Sequence, residues 1–110
     1  MRQVSLEAFC VYLVQPLIRR EGDLYGKTRP YILLRVAKAR TRRGGYLMVP
    51  LSRQEPRGAF HVEVVFQGEV SYAVLDSPKM VPRGKIIKAC GPVDFYSVLR
   101  IRQAWAALLS

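Results

Sequence analysis

Apolar residues come in short blocks along this chain, and the spacing within each block predicts the element it forms. Tyr31 to Val36, Tyr46 to Leu51, His61 to Phe66, Ser71 to Leu75 and Gly84 to Ala89 each read as a strand of ordinary length, bounded by turn residues. Gly44-Gly45 turns the first of these into the second, which predicts a hairpin with the basic tip Lys38 to Arg43. Gln67-Gly68 marks the next turn, and Gly91-Pro92 is expected to stop the sheet. The period then changes: Val98, Ile101, Trp105 and Leu108 fall on one face of a helix from about Phe95 to Leu109. Asp94 stands where an N-cap carboxylate would accept the free amide hydrogens of its first turn.

The beginning of the chain supports two readings. Leu6, Phe9, Cys10, Leu13, Val14 and Leu17 have helical spacing, ended or kinked by Pro16, while Phe9 to Val14 also reads as a continuous strand. Gly22, Asp23 and Gly26 then mark a loop. The prediction is a single domain over 1–110 of mostly β (α+β) class. It is a small, strongly bent antiparallel sheet or half-barrel with a C-terminal helix, and an N-terminal helix as one option.

Charge adds the first functional constraint. Eighteen Lys and Arg oppose eight Asp and Glu, a formal net charge of +10. Most of the cations are Arg, whose planar fork pairs bidentately with phosphate. Nucleic acid, an anionic membrane or a very acidic protein would suit such a surface. The apolar stretch from Val4 to Ile18 is broken by Glu7, Gln15 and Pro16, with no small-residue cleavage site before Arg19-Arg20-Glu21. It therefore reads neither as a signal peptide nor as a span, and a cytoplasmic protein without membrane contact is expected. Cys10 and Cys90 lie in apolar surroundings and are expected to be buried free thiols.

The candidate chemistry is narrowed by what the residues do not offer. One His and two distant Cys do not make a zinc site, and the eight carboxylates are scattered singly. No Gly-rich phosphate loop precedes a Lys, and no Ser/His/Asp spacing suggests a triad. Neither metal nor cofactor is expected. RNA can still be cut, because its own 2′-hydroxyl is the nucleophile, and a fixed guanidinium with hydroxyl or amide donors can stabilise the phosphorane charge.

Three segments at strand ends fit that requirement. Lys27-Thr28-Arg29-Pro30 places a cation at a strand entrance, Leu51-Ser52-Arg53-Gln54 a hydroxyl, a cation and an amide at a strand exit, and Asp76-Ser77-Pro78-Lys79-Met80 another cation after the fourth strand. Arg40, Arg42 and Arg43 suit sequence-independent phosphate contact, and His61 lies near the same strand ends. Tyr25, Tyr31, Tyr46 and Phe60 could stack on bases. Each also has an ordinary reading: solvated Arg, turn Ser, structural His, packing Tyr.

Taken in order, Thr28-Arg29-Pro30 before an apolar strand, Val49-Pro50-Leu51-Ser52, His61-Val62-Glu63-Val64, Val74-Leu75-Asp76 with Lys79 downstream, and a closing amphipathic helix resemble the MazF/PemK-type toxins of toxin–antitoxin systems. The likeness covers roughly Gly22 to Leu109, and the stretch Tyr46 to Ser52 is similar to the ToxN-type relatives. The resemblance implies a compact SH3-like barrel with helices. It also implies metal-independent endoribonuclease activity on single-stranded RNA, leaving 2′,3′-cyclic phosphate ends.

By the same resemblance, Arg29 would be the catalytic cation and Ser52 would hold the scissile phosphate. Lys79 would contact RNA. Apart from the resemblance, Lys27, Thr28, Arg40, Arg42, Arg43, Arg53, Gln54 and His61 are the further candidate RNA-binding residues at the strand ends and in the basic loop. The expected partners are a cognate antitoxin, either an acidic protein or a structured repeat RNA, and a second copy in a homodimer. The fold also carries CcdB-like toxins that bind DNA gyrase and cut nothing. A basic RNA-binding module without cleavage is the third alternative.

Overall fold

The computed structural model describes residues 6–16, 27–36 and 45–110. Among the described residues, seven strands form one open, wholly antiparallel sheet, and a single α-helix follows them. The strands are β1 (Cys10–Val14), β2 (Arg29–Val36), β3 (Gly45–Ser52), β4 (His61–Phe66), β5 (Glu69–Val74), β6 (Lys79–Pro82) and β7 (Ile86–Pro92), and α1 is Phe95–Leu109. The sheet order is β4-β5-β3-β2-β1-β7, with β6 paired to β3 off this path. β3 bends the sheet: its first half pairs with β6 and its last two residues pair with β5.

The mostly β class, the bent sheet and the C-terminal helix agree with the sequence pattern, and α1 has the predicted bounds. Over the described residues, the strand reading of the N-terminal segment holds and the helical one does not. β1 pairs with β2 on one side and β7 on the other, and Val11, Tyr12 and Val14 are all buried. A strand covered on both faces carries a continuous apolar run instead of alternation, so its periodicity resembles a helix. Its β-branched and aromatic residues favour the strand.

The predicted fifth strand needs correction. Lys79–Pro82 is a separate strand, Arg83–Lys85 a 3₁₀ turn that takes up Gly84, and β7 runs on through Gly91 and Pro92. β6 is short and buries only Val81, too little periodicity to announce a strand. Gly91 does not stop the sheet but enables an irregularity in it: at φ 113° it adopts a backbone favoured by glycine, where the β1–β7 register shifts. Pro92 is tolerated because β7 is an edge strand. The expected turn at Gln67-Gly68 is present, both residues having positive φ (51° and 76°) between the paired Phe66 and Glu69.

Two apolar cores lie on opposite faces of β1–β2–β3. One contains Val11, Ile32, Val49, Val62, Val64 and Ile101 beneath α1 and the β4–β5 hairpin. The other gathers Tyr12, Val14, Leu33, Met48 and Val81. The cysteines are free but half-buried, each packed on a different core, and burial followed by Glu7 pushes the Cys10 thiol above its ordinary pKa. The cationic hairpin tip, the loop around Gly22 and Tyr25 lie outside the described residues. No described helix is long and apolar enough to cross a membrane.

The start of α1 is tied to β4 by a short polar network. Asp94 caps the helix by accepting from the Ser97 amide at 2.8 Å, and the hydrogen bonds from Ser97 hold its carboxyl below the usual range. The buried Ser97 hydroxyl accepts from the Val65 amide at 2.7 Å, while the Asp94 amide donates to the Val65 carbonyl. Ser97→Ala would orphan the Val65 amide, and its expected cost is about 1–3 kcal/mol by urea denaturation. A midpoint equal to that of the parent would mean that this bond contributes nothing.

Candidate functional site

Strand pairing decides which of the predicted site residues can act together. β2 and β3 pair with Tyr31 opposite Pro50, Ile32 opposite Val49 and Leu33 opposite Met48. That pairing ends at Tyr31 and Pro50; extended by two residues it would bring Arg29, the first residue of β2, across from Ser52, the last of β3. On its other side Ser52 pairs with Tyr72 of β5, and Tyr72 pairs in turn with Glu63 of β4. Residues opposite one another in a sheet share a face. Ser52, Tyr72 and Glu63 therefore form one polar row crossing β3, β5 and β4, which Arg29 would extend onto β2. Neighbouring strands lie about 4.8 Å apart, so Ser52 has a cation position on one side and a phenol position on the other at one strand spacing.

This rim follows from the local sequence. Arg29 precedes Pro30, which favours an extended backbone, and its own residue pairs with Val14 while its side chain stays exposed. Arg29 is thus a paired strand residue and not a loop residue. Ser52 is half-buried, and its Oγ accepts from the Gln54 amide at 3.1 Å, a serine turn that ends β3. The hydroxyl proton remains available to a ligand.

The other predicted residues divide between the two faces. Lys27 and Thr28 are exposed immediately before Arg29. Lys79 pairs with Met48, so it shares the face of Ser52 but lies four residues back along β3, about 13 Å away. That position suits a flanking phosphate. Arg53 faces the opposite side, where it forms an exposed ion pair with Glu69. Gln54 contributes its backbone to the Ser52 turn. Arg40, Arg42 and Arg43 lie outside the described residues.

His61 is occupied within the chain. Its Nδ1 accepts from the Arg57 amide at 3.0 Å, and its Nε2 lies 3.5 Å from the Asp76 carboxylate. With Nδ1 accepting, the neutral ring carries its proton on Nε2, directed at Asp76. Both nitrogens thus contact the loops around β4, while the RNA-binding role expected of His61 is a separate matter from these contacts.

Two aspects of this rim escaped sequence reasoning. One is the adjacency of Tyr72 and Glu63 to Ser52: alternation along β5 marks Tyr72 as facing away from Ser71 and Ala73, but nothing local reveals that β5 pairs with the end of β3. The other is a cavity of about 310 Å³ on the reverse side, lined among others by Pro30, Leu51, Phe66, Arg53 and Lys88. Pro30 and Arg53 each adjoin a residue of the polar row, so the cavity opens around the same rim.

Of the aromatic candidates, Tyr31 is half-buried on the Arg29 face and Tyr46 accepts from Arg83 at 3.3 Å. Tyr12 is buried, with its phenol pKa pushed up by burial, and its hydroxyl accepts from the Glu7 amide. Among the described residues, no cluster of three His, Cys, Asp or Glu could hold a metal ion. No family model matches the chain, and no curated protein is similar to it in sequence.

Proposed function

We propose that this chain is a toxin endoribonuclease that acts in the cytoplasm on single-stranded RNA without a metal and leaves 2′,3′-cyclic phosphate ends. The observation that carries the reading is the β2–β3 register, which, extended two residues beyond Tyr31 and Pro50, brings the exposed Arg29 beside the half-buried Ser52. In this reading the scissile phosphate sits over Arg29 and Ser52. The 2′-oxygen attacks phosphorus and loses its proton, the P–O5′ bond breaks, and the departing 5′-oxygen gains a proton. Arg29 neutralises the charge that builds on the non-bridging oxygens, and the Ser52 hydroxyl donates to one of them. Tyr72 is the strand partner of Ser52 and could move a proton there, and Glu63 follows it in the row. Lys27 and Lys79 bind flanking phosphates, and Tyr31 offers a ring to a base.

The test is incubation with a mixed-sequence RNA in EDTA, followed by end-group analysis. Discrete cuts with cyclic-phosphate ends are expected, and Ser52→Ala should slow them by about tenfold or more. No cleavage, or cleavage that EDTA abolishes, would overturn the mechanism.

A second reading draws on a different observation. The first turns of α1 expose Phe95 (69%), Tyr96 (68%) and Leu99 (46%), an apolar surface of the sort that partners cover. It favours a protein contact, either a second copy of the chain or a target such as gyrase in a non-cutting toxin. Under that reading, toxicity follows substitutions at Phe95 and Leu99 and is indifferent to Arg29.

A further inference from the structure

A second cavity of about 310 Å³ opens on the helix side of the sheet, where Phe9, β2, β3 and the C-terminal half of α1 meet. Its walls are Phe9, Leu34, Leu47, Ile101, Trp105 and Leu109, and the polar side chains lining it are those of Arg35 and Arg102. Three independent features converge there. First, the β2–β3 register shifts between Leu33 and Arg35, so that Arg35 pairs with Leu47. Regular alternation would send Arg35 to the Leu33 face, whereas this bulge turns it to the Leu47 face that the cavity occupies. Second, Phe9 has a left-handed backbone (φ 62°), costly for a bulky residue, fixed by its amide donating to the Leu33 carbonyl at 2.6 Å and its carbonyl accepting from the Val93 amide at 3.1 Å. Third, the Arg102 guanidinium lies 5.2 Å from the centre of the Phe9 ring, and among the described lining residues no carboxylate balances the two arginines.

An apolar slot with two guanidinium groups, and no carboxylate among its described lining residues, matches an apolar body ending in an anion that can accept from both. We propose that this cleft binds an amphiphilic carboxylate of the medium-chain fatty-acid class, with the chain against Ile101 and Trp105 and the carboxylate between Arg35 and Arg102. The size falls within the range of small-molecule sites, and few polar groups in an apolar lining is their usual construction. Leu47 lies toward the other end of β3 from Ser52 and on the opposite face, so this site does not depend on RNA cleavage.

Trp105 is the sole tryptophan of the chain and lines the cleft, which supplies a direct probe. The full chain is titrated with sodium octanoate below its micelle concentration, following tryptophan emission and melting temperature, with acetate, octanol and octyltrimethylammonium in parallel. Octanoate should give a saturable emission change and raise the melting temperature. Octanol should bind at least tenfold more weakly, and acetate and the cation should give no saturable change. Arg35→Gln and Arg102→Gln should each weaken octanoate by about tenfold or more, as expected for loss of a charged hydrogen bond. The assignment is overturned if octanoate produces no saturable change, if acetate or octanol matches it, or if both variants bind octanoate like the parent. Melting of the ligand-free variants separates loss of binding from loss of fold.

Discussion

Arg29→Ala is expected to reduce RNA cleavage by roughly a hundred- to a thousandfold while leaving the melting temperature unchanged. The size follows from the task assigned to the side chain. A donor aimed at charge that develops only in the transition state commonly contributes two to three orders of magnitude in rate. The neutrality toward folding follows from its setting: Arg29 pairs with Val14 through the backbone, which alanine preserves, and its side chain is exposed. Arg29→Lys is the more discriminating variant. It keeps the charge but loses the planar fork that can hold two phosphate oxygens at once, so its rate should fall between those of parent and alanine. If alanine cuts within a few-fold of the parent, Arg29 is a solvated strand residue and the polar row is not the reacting centre. If both variants melt early, the side chain has a structural role that its exposure does not suggest.

The legible parts of this fold were those with local signals. α1 announced itself by its apolar stripe and its Asp94 cap, and β4 by Val62 and Val64 flanking the exposed Glu63. The β4–β5 turn was marked by Gln67-Gly68. β1 was ambiguous because burial on both faces removes the alternation that identifies a strand. β6 was missed because four residues with one buried side chain carry almost no period.

The site divides in the same way. Arg29, Ser52 and Lys79 were identifiable by residue type at strand ends, a local property. That the β2–β3 register runs toward Arg29 and Ser52, while Lys79 is about 13 Å from Ser52, depends on pairing between strands. Tyr72 depends on a pairing between β3 and β5 that skips over β4 in the chain. Arg53 illustrates the opposite error: adjacent to Ser52 in sequence, it points to the other face because successive strand residues alternate.

Ile101→Ala should be among the most damaging single truncations in α1, costing about 2–5 kcal/mol by urea denaturation. Ile101 is 1% exposed and is the large apolar side chain that α1 buries fully, whereas Val98, Trp105 and Leu108 pack on the same core only in part. It meets the core that Val11, Ile32 and Val49 form on the sheet, so the truncation weakens the contact joining helix to sheet. It also borders the cleft beside Trp105, whose open side lets neighbours relax into the lost volume, so the value should fall toward the lower end. A loss of even about 2 kcal/mol is a large fraction of the roughly 5–15 kcal/mol that holds a domain folded. The control is Ile87→Ala on β7, where 51% exposure predicts a change within about 0.5 kcal/mol. Because Ser52 and Arg29 lie on the other face of the sheet, RNA cleavage by Ile101→Ala should persist at temperatures where the variant remains folded. Equal costs at Ile101 and Ile87 would mean that α1 is not docked through this residue. An early loss of cleavage, before unfolding, would mean that the two faces of the sheet are coupled.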